Sequence, residues 1–311
     1  VFQYLSWCYE LPPLQQGARL NAVSLADYFE YSTSDDPSLN YCLWQYTTGV
    51  PAEDKYRAVN LLLHSFDFAG LDARAHEFID AVRDAVGPFR TVFGVKWVDG
   101  RMTWEFYFYD YERQQRTVAI NKTLAALKPQ LRCPVRVNEE LSYFMFSLDI
   151  DPALIRGESD MDVVHMYVGN PGSTVSSGIC YAMREESFTL ENFYFFFDAA
   201  TQMQQAADKI SCSAHVDPVN IDLDEILLPQ LRDCQTICVA NKQEHDCVYF
   251  SGVDVTQLLF FMHRLEYPAQ TIEFVERNRS MLDHLLFDVG IDYRLEGDEV
   301  VFLKSGYYGV F

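Results

Sequence analysis

The sequence has little positive charge. Lysine and arginine together number 24 against 45 aspartates and glutamates, which gives a formal net charge of -21 at pH 7. Because this excess repels polyanions, it disfavours nucleic acid and anionic membranes as main partners. It would favour a cationic substrate or partner, although acidity can equally serve solubility alone.

Long apolar runs are also missing. No run approaches the roughly 20 apolar residues that cross a bilayer as a helix. No charged, apolar, small-residue leader opens the chain either. These absences predict a protein that works in the cytoplasm without a membrane partner.

The eight cysteines lack the Cys-x-x-Cys spacing of zinc ribbons and thioredoxin-like sites. Their closest group, Cys234, Cys238 and Cys247, has only His245 nearby. Half-buried strand cysteines in a reducing cytoplasm explain this group better than ligation does. The sequence therefore predicts no protein-bound metal site.

Common catalytic signatures are absent as well. The chain has no GxxxxGK[ST] or GxGxxG phosphate loop, no GxSxG nucleophile elbow and no HExxH. The adjacent aspartates Asp35 and Asp36 lack the further acidic spacing of an aspartate-rich DDxxD motif. Metal-dependent diphosphate chemistry on a helical fold is therefore disfavoured.

The residues that are present show a regular order of elements. Residues 54–66 and 72–86 carry apolar residues at helical spacing. Ten strand-like segments then follow in five pairs, the first of which flanks the hairpin signal Asp99-Gly100. Those segments are residues 90–98, 102–112, 140–150, 161–169, 177–185, 189–197, 236–242, 246–252, 290–295 and 298–306.

Mostly helical segments separate the pairs, at residues 116–131, 198–210, 223–234, 252–265 and 271–287. This order fits an α+β fold, either a ten-stranded antiparallel β-barrel surrounded by helices or a long sheet covered on one face. We expect a single domain over residues 1–311, with residues 1–90 mainly helical and residues 91–311 holding the strand pairs.

The strand faces favour the barrel. In the second strand, Trp104, Phe106 and Phe108 alternate with Glu105, Tyr107 and Tyr109. Both faces are therefore largely aromatic, and the tyrosine face suits a chamber for a partly polar ligand. The same phase recurs in three later strands, with His165 and Tyr167, with Asn192, Tyr194 and Phe196, and with Cys247, Tyr249 and Ser251.

The few cations lie inside or at the ends of predicted strands. They are Lys96, Arg184, Lys242, Arg294 and Lys304, one from almost every pair. Each one alone could form a surface cross-strand pair. Together they could converge at one end of a barrel, where they would suit a multiply charged anion such as a diphosphate.

Several strings of the sequence resemble one family. They are residues 237–261, with a lysine-bearing turn between two strands, residues 284–311, residues 93–110 and, more weakly, residues 24–42. With the paired strands and the missing aspartate-rich motif, they resemble the ABBA or PT-barrel aromatic prenyltransferases, and locally the cyanobactin-type enzymes that modify ribosomal (RiPP) peptides. The likeness covers about half the chain, in pieces.

The resemblance implies an allylic diphosphate donor, dimethylallyl or geranyl, held inside the barrel. A nucleophilic side chain of a cyclic peptide or a small aromatic molecule would accept the prenyl group, and Mg²⁺ would reach the site through the diphosphate. The implied diphosphate contacts are Lys96, Arg184, Lys242, Arg294, Lys304 and His165. The implied shield of the allylic cation is Tyr107, Tyr109, Tyr167, Tyr194 and Tyr249.

Two departures from the family leave the general base open. Glu105 stands where the family commonly has a basic residue, and Lys96 stands where an acid is common. The family's catalytic glutamate would fall near Gln45. Glu105 and Gln45 are the catalytic candidates; Glu105 could be a base, a grip for a cationic acceptor or a structural ion pair.

Two other interpretations remain open. One is a non-catalytic barrel that binds an apolar or aromatic ligand, in which case lysines and arginines would point out of the lumen. The other is an α+β enzyme of unrelated chemistry whose strands do not close.

Overall fold

The computed structural model describes residues 28–40, 43–110, 117–170, 173, 175–216, 221–297 and 299–311. Its ten strands are β1 (Thr91–Val98), β2 (Arg101–Tyr109), β3 (Tyr143–Ile150), β4 (Val164–Gly169), β5 (Ser176–Met183), β6 (Phe188–Asp198), β7 (Thr236–Asn241), β8 (Asp246–Val253), β9 (Phe287–Glu296) and β10 (Glu299–Val310). Every pair of neighbouring strands is antiparallel.

The strands close into a barrel, because β1 pairs with β10 as well as with β2. In the closing pair Gly94 lies opposite Tyr308, and Lys96 lies opposite Gly306. The predicted α+β barrel of five strand pairs is therefore confirmed, and the two open-sheet interpretations are wrong. The hairpin prediction also holds, since Asp99 and Gly100 both have positive φ, 48° and 74°.

Eight α-helices occur within the part of the chain that the structure describes. They are α1 (Val59–Phe68), α2 (Ala73–Val86), α3 (Ile120–Leu127), α4 (Pro152–Ile155), α5 (Met203–Ser211), α6 (Val255–Arg264), α7 (Ala269–Arg277) and α8 (Arg279–Leu282). None of the helices described is long and apolar enough to cross a membrane.

The helical predictions need two corrections. Residues 223–234 form only the 3₁₀ turns Leu223–Glu225 and Pro229–Leu231, because Pro229 cannot continue an α-helix. Residues 28–40 and 43–58 contain turns and isolated bridges but no α-helix. Their "TSDDPSLN" stretch is rich in side chains that favour turns.

The main core lies between the barrel wall and the helices. Trp104 meets Phe66 of α1 with ring centroids 4.7 Å apart, and Phe106 meets Phe78 of α2 at 5.8 Å. The indole of Trp104 also donates to Ser65 Oγ at 2.8 Å. The outward face of β2 is therefore the helix-facing side, as its sequence predicts.

The segment before α1 packs against one end of the barrel. Leu39 and Leu43 contact the interior cluster that contains Val92 and Val310, at the start of β1 and the end of β10. The Tyr46 hydroxyl accepts a hydrogen bond from the Leu286 amide at 3.0 Å. The chamber described below lies towards the opposite end of the barrel.

Candidate functional site

A chamber of about 450 Å³ opens at the end of the barrel that carries the β1–β2, β5–β6 and β7–β8 turns. This volume is within the range of small-molecule pockets. The chamber is lined by Lys96, Glu105, Tyr107, Asp149, His165, Tyr167, Thr189, Leu190, Glu191, Asn192, Tyr194, Lys242, Gln243, Glu244, His245, Tyr249, Lys304 and Tyr308.

Five of these residues form a closed circle of aromatic rings, which we call the tyrosine ring. One tyrosine comes from each even-numbered strand. The successive centroid distances are 6.4 Å for Tyr107–Tyr167, 5.8 Å for Tyr167–Tyr194, 6.4 Å for Tyr194–Tyr249, 6.0 Å for Tyr249–Tyr308 and 5.9 Å for Tyr308–Tyr107. The barrel axis is thus surrounded by aromatic surface at one level.

Sequence reasoning found four members of the ring and missed Tyr308. The missing signal was the alternation of β10, in which Lys304, Gly306 and Tyr308 share a phase. Tyr109 is buried in the interior cluster and does not line the chamber. That placement corrects its expected position in the shield, because it lies two residues further from the mouth than Tyr107.

Small residues on the odd-numbered strands make space for the ring. A Cβ atom added to Gly290 would lie 2.5 Å from the ring of Tyr249. One added to Gly94 would lie 2.6 Å from the ring of Tyr308. Both distances are shorter than the closest approach of two carbon atoms that are not bonded, so a side chain at either position would push the tyrosine ring away. These two glycines therefore determine where the Tyr249 and Tyr308 rings can stand.

The five phenols are neutral. Burial raises the pKa of each of them well above its usual value. The Tyr194 hydroxyl accepts from Asn192 Nδ2 at 3.0 Å, and the Tyr167 hydroxyl lies 3.2 Å from Ser147 Oγ. A neutral ring of phenols presents the negative faces of its π systems without becoming a nucleophile itself.

Two lysines and a histidine gather around one carboxylate, and we call this group the cation cluster. Lys242 Nζ lies 2.7 Å, His245 Nε2 2.9 Å and Lys304 Nζ 3.0 Å from Asp292 Oδ2. Burial alone would raise the pKa of Asp292, but the two ammonium groups lower it well below its usual value. Asp292 is 3% exposed and stays ionised.

Lys96 is held by two acids on the other side of the mouth. Its Nζ lies 2.5 Å from Glu105 Oε2 and 2.5 Å from Asp149 Oδ1. Glu105 also accepts from Ser147 Oγ at 2.5 Å, and it is only 6% exposed. Burial opposes ionisation of Glu105, yet Lys96 and His165 lower its pKa well below the usual value. Glu105 is thus an ion-paired partner of Lys96.

His165 lies among acids and not in the cation cluster. Its Nε2 is 3.0 Å from Glu191 Oε2, and its Nδ1 is 3.6 Å from Asp149 Oδ2. Burial would lower the pKa of His165, but Glu191 and Asp149 raise it above its usual value. Arg184 does not line the chamber; it stands at the rim, 3.7 Å from Glu191.

Two of the candidates lie elsewhere, which corrects their expected place in the site. Arg294 pairs with Glu296 and borders a separate surface pocket beside His215. It lies in the part of β9 that continues past Asp292. Gln45 is exposed in the segment before α1, where it forms a bridge with Leu39. Neither residue lines the chamber.

The mouth is therefore divided by charge. The cation cluster comes from β9, β10 and the β7–β8 turn, while the acids Glu105, Asp149 and Glu191 come from β2, β3 and β6. Sequence reasoning missed Asp149, Glu191 and Asp292, although Asp149 and Asp292 share the inward phase of their strands. Only the barrel brings Asp149 beside Lys96 and Asp292 beside Lys242 and Lys304.

Mg²⁺ is the metal ion that the family resemblance implies for this chamber. Within the described ranges, no three histidine, cysteine or acidic side chains are grouped so that they could hold a metal ion. Magnesium commonly needs only one or two carboxylates when substrate phosphates supply the other ligands. Of the lining carboxylates, Glu244 in the β7–β8 turn would be the one to hold Mg²⁺ brought in by a phosphate-bearing ligand.

No family model matches the chain, and no curated protein matches it either.

Proposed function

We propose that this protein is a prenyltransferase. It would move a dimethylallyl or geranyl group from an allylic diphosphate to a nucleophilic side chain of a peptide or related small acceptor in the cytoplasm. The observation that carries the proposal is the closed tyrosine ring beneath a lysine-bearing mouth. A desolvated aromatic face stabilises a cation by about 1–2 kcal/mol.

The cation cluster is the place for the diphosphate. Lys242 and Lys304 already hold one buried anion, Asp292, at 2.7 and 3.0 Å. Diphosphate oxygens at the same ammonium groups would form charge-assisted hydrogen bonds in a partly dry site. Bound Mg²⁺ would supply further positive charge to the leaving group. With the head group there, the allylic chain would extend towards the tyrosine ring, which lines the same chamber.

The proposed transfer is a substitution at the allylic carbon. The bond between the allylic carbon and the diphosphate oxygen breaks, and its electron pair leaves with the diphosphate. The tyrosine ring stabilises the cation and excludes water that would otherwise capture it. The acceptor's lone pair or π electrons form the new bond to the allylic carbon, and the acceptor loses a proton.

The acidic side of the mouth supports a cationic acceptor. Asp149 and Glu191 keep 39% and 30% of their side chains exposed, facing the space beside the proposed donor. A guanidinium or amine would be attracted there, whereas a tyrosine or indole would need only one base. Competition among peptides containing Arg, His, Trp or Tyr separates these classes; faster turnover of the aromatic peptides would exclude the cationic one.

One observation favours the second candidate, a non-catalytic barrel that binds an apolar or aromatic ligand. Each lysine of the chamber already has a carboxylate partner. A diphosphate must therefore compete with these acids, whereas an uncharged aromatic ligand would need no such exchange.

The direct test is incubation with dimethylallyl or geranyl diphosphate, Mg²⁺ and a peptide panel, followed by mass spectrometry. A mass increase of one prenyl group on a peptide would support the transferase. If neither donor is consumed and neither raises the melting temperature, the transferase is excluded. Stabilisation by prenyl alcohols alone would then favour the binding barrel.

A further inference from the structure

Prenyl transfer releases a proton, and the residues considered from the sequence do not suit its capture. Glu105 has Lys96 on one carboxylate oxygen and Ser147 on the other, both at 2.5 Å. Gln45 does not line the chamber. Asp292 is occupied by the cation cluster. The reaction therefore requires another acceptor for the proton.

Glu191 reaches the chamber through an irregularity in its strand. The β5–β6 register shifts so that Cys180 faces Asn192 while Tyr181 faces Leu190. Glu191 is the extra residue of this β-bulge. Simple alternation with Asn192 and Tyr194 would have turned Glu191 to the outer face, and bulges are known to redirect side chains beside active sites.

The contacts of Glu191 leave one carboxylate oxygen available. Oε2 is bound to His165 Nε2 at 3.0 Å, while the charged neighbour of Oε1 among the described residues is Arg184 at 3.7 Å. The side chain is 30% exposed and lines the chamber. Asp149 is less suitable, because its Oδ1 binds the ammonium group of Lys96 at 2.5 Å and its Oδ2 lies 3.6 Å from His165 Nδ1.

We propose that Glu191 is the general base of the transfer and that His165 is its positioning residue. The inference rests on the proposed function. A protonated nitrogen acceptor must lose a proton before its lone pair can bond to the allylic carbon, whereas a phenol or indole acceptor carries positive charge after bonding and is then strongly acidic. In either case the proton passes to Glu191 Oε1, the bonding pair stays with the acceptor, and Glu191 later returns the proton to water. A weak base suffices for the strongly acidic phenol or indole adduct.

The first test compares Glu191→Gln with Glu186→Gln. Glu186 is an exposed acid in the same β5–β6 hairpin and does not line the chamber. Loss of a general base typically slows turnover by about 10²–10⁴-fold. We expect that loss in kcat for Glu191→Gln, measured by product mass, with unchanged Kd for dimethylallyl diphosphate. Glu186→Gln should match the wild type.

The second test uses the pH dependence of kcat. The pKa of Glu191 lies below its usual value. The hydrogen bond from His165 lowers it most and the charge of Arg184 lowers it further, while burial and Glu105 oppose them. Glu191 must be ionised to act, so the acid limb of the wild type should lie below the ordinary glutamate pKa of about 4.3. His165→Gln should move that limb upward, and a merely structural histidine would leave it in place.

The outcomes separate the two proposals. If the wild type is active and Glu191→Gln turns over as fast as Glu186→Gln, Glu191 is not the base and the transferase stands. If Glu191→Gln also loses donor affinity, its role is binding and the inference fails. If the wild type transfers no prenyl group, both proposals fall together.

Discussion

Individual glycines and tyrosines determine the shape of the chamber. Gly290→Ala would place a methyl group within 2.5 Å of the Tyr249 ring, so the ring must move. Overpacking of this kind typically costs about 1–3 kcal/mol. We expect a lower free energy of unfolding in urea, together with slower prenyl transfer.

Gly178→Ala is the matched control for this substitution. Gly178 is another buried glycine of the barrel strands, and a Cβ atom there would meet its neighbours at an ordinary 3.6 Å. Its effect on unfolding should be clearly smaller. Equal losses for the two variants would show that Gly290 has no special part in placing Tyr249.

Tyr308 closes the tyrosine ring, and in the proposed transfer its aromatic face would matter more than its hydroxyl. Tyr308→Phe keeps the face, whereas Tyr308→Leu removes it. Losing one cation–π contact of about 1–2 kcal/mol corresponds to a roughly 5- to 30-fold slower kcat. We expect this decrease for Leu and little change for Phe. Similar rates for both variants would contradict the shield.

The variant Lys242→Ala tests whether the diphosphate binds at the cation cluster. A hydrogen bond to a charged group contributes about 1.5–3 kcal/mol, so Lys242→Ala should raise the Kd of dimethylallyl diphosphate by roughly 10- to 150-fold. Asp292 keeps Lys304 and His245 as partners in this variant. Arg294→Ala, outside the chamber, is the control in calorimetric titrations. Identical affinities would move the diphosphate away from the cation cluster.

At the scale of elements, ion pairs fasten the segment before α1. Glu30 bonds to Arg57 at 3.0 Å and to Arg83 of α2 at 2.6 Å. Burial would raise the pKa of Glu30, but the two guanidinium groups lower it below its usual value. Its contribution to stability is therefore complete above the unfolded-state pKa and is lost as pH falls towards the folded-state value.

Glu30→Gln measures this contribution. We expect the wild type to be more stable than the variant at pH 7, with the difference shrinking as pH falls below about 4.3. Urea unfolding at several pH values gives the two free energies. A difference that stays constant from pH 7 to pH 3 would mean that the charge of Glu30 does not hold the segment.

The elements themselves were largely predictable. Alternating aromatic residues and the Asp99-Gly100 turn indicate β1 and β2, because both signals are local. The bulge at Glu191 was not predictable, since nothing in "TLENFYFFF" shows where the β5–β6 register shifts. The segment before α1 was predicted wrongly for a related reason: its turn-rich stretch "TSDDPSLN" carries no helix signal, and Leu39 within it is placed by contact with the interior cluster of the barrel.

At the scale of the whole molecule, the net charge of -21 should govern the encounter with acceptors. An acidic protein attracts cationic peptides over distances that salt screens, with a Debye length of about 10 Å at 0.1 M. We expect kcat/KM for an arginine-containing peptide to fall between 0.01 and 0.3 M salt. An isosteric citrulline peptide should show a much weaker dependence, and equal slopes would remove the electrostatic preference.

Local sequence patterns predicted the five strand pairs, the helix-facing and tyrosine-bearing sides of β2, and four of the five ring tyrosines. These features depend on two-residue periodicity and on turn residues, both of which are local properties of the sequence. Three outcomes required the folded molecule: Tyr308 completes the ring, Asp292 binds Lys242 and Lys304, and Arg294 and Gln45 lie away from the chamber. Those outcomes depend on barrel closure, on where strands extend past the mouth, and on a bulge, all of which arise from contacts between residues far apart in sequence.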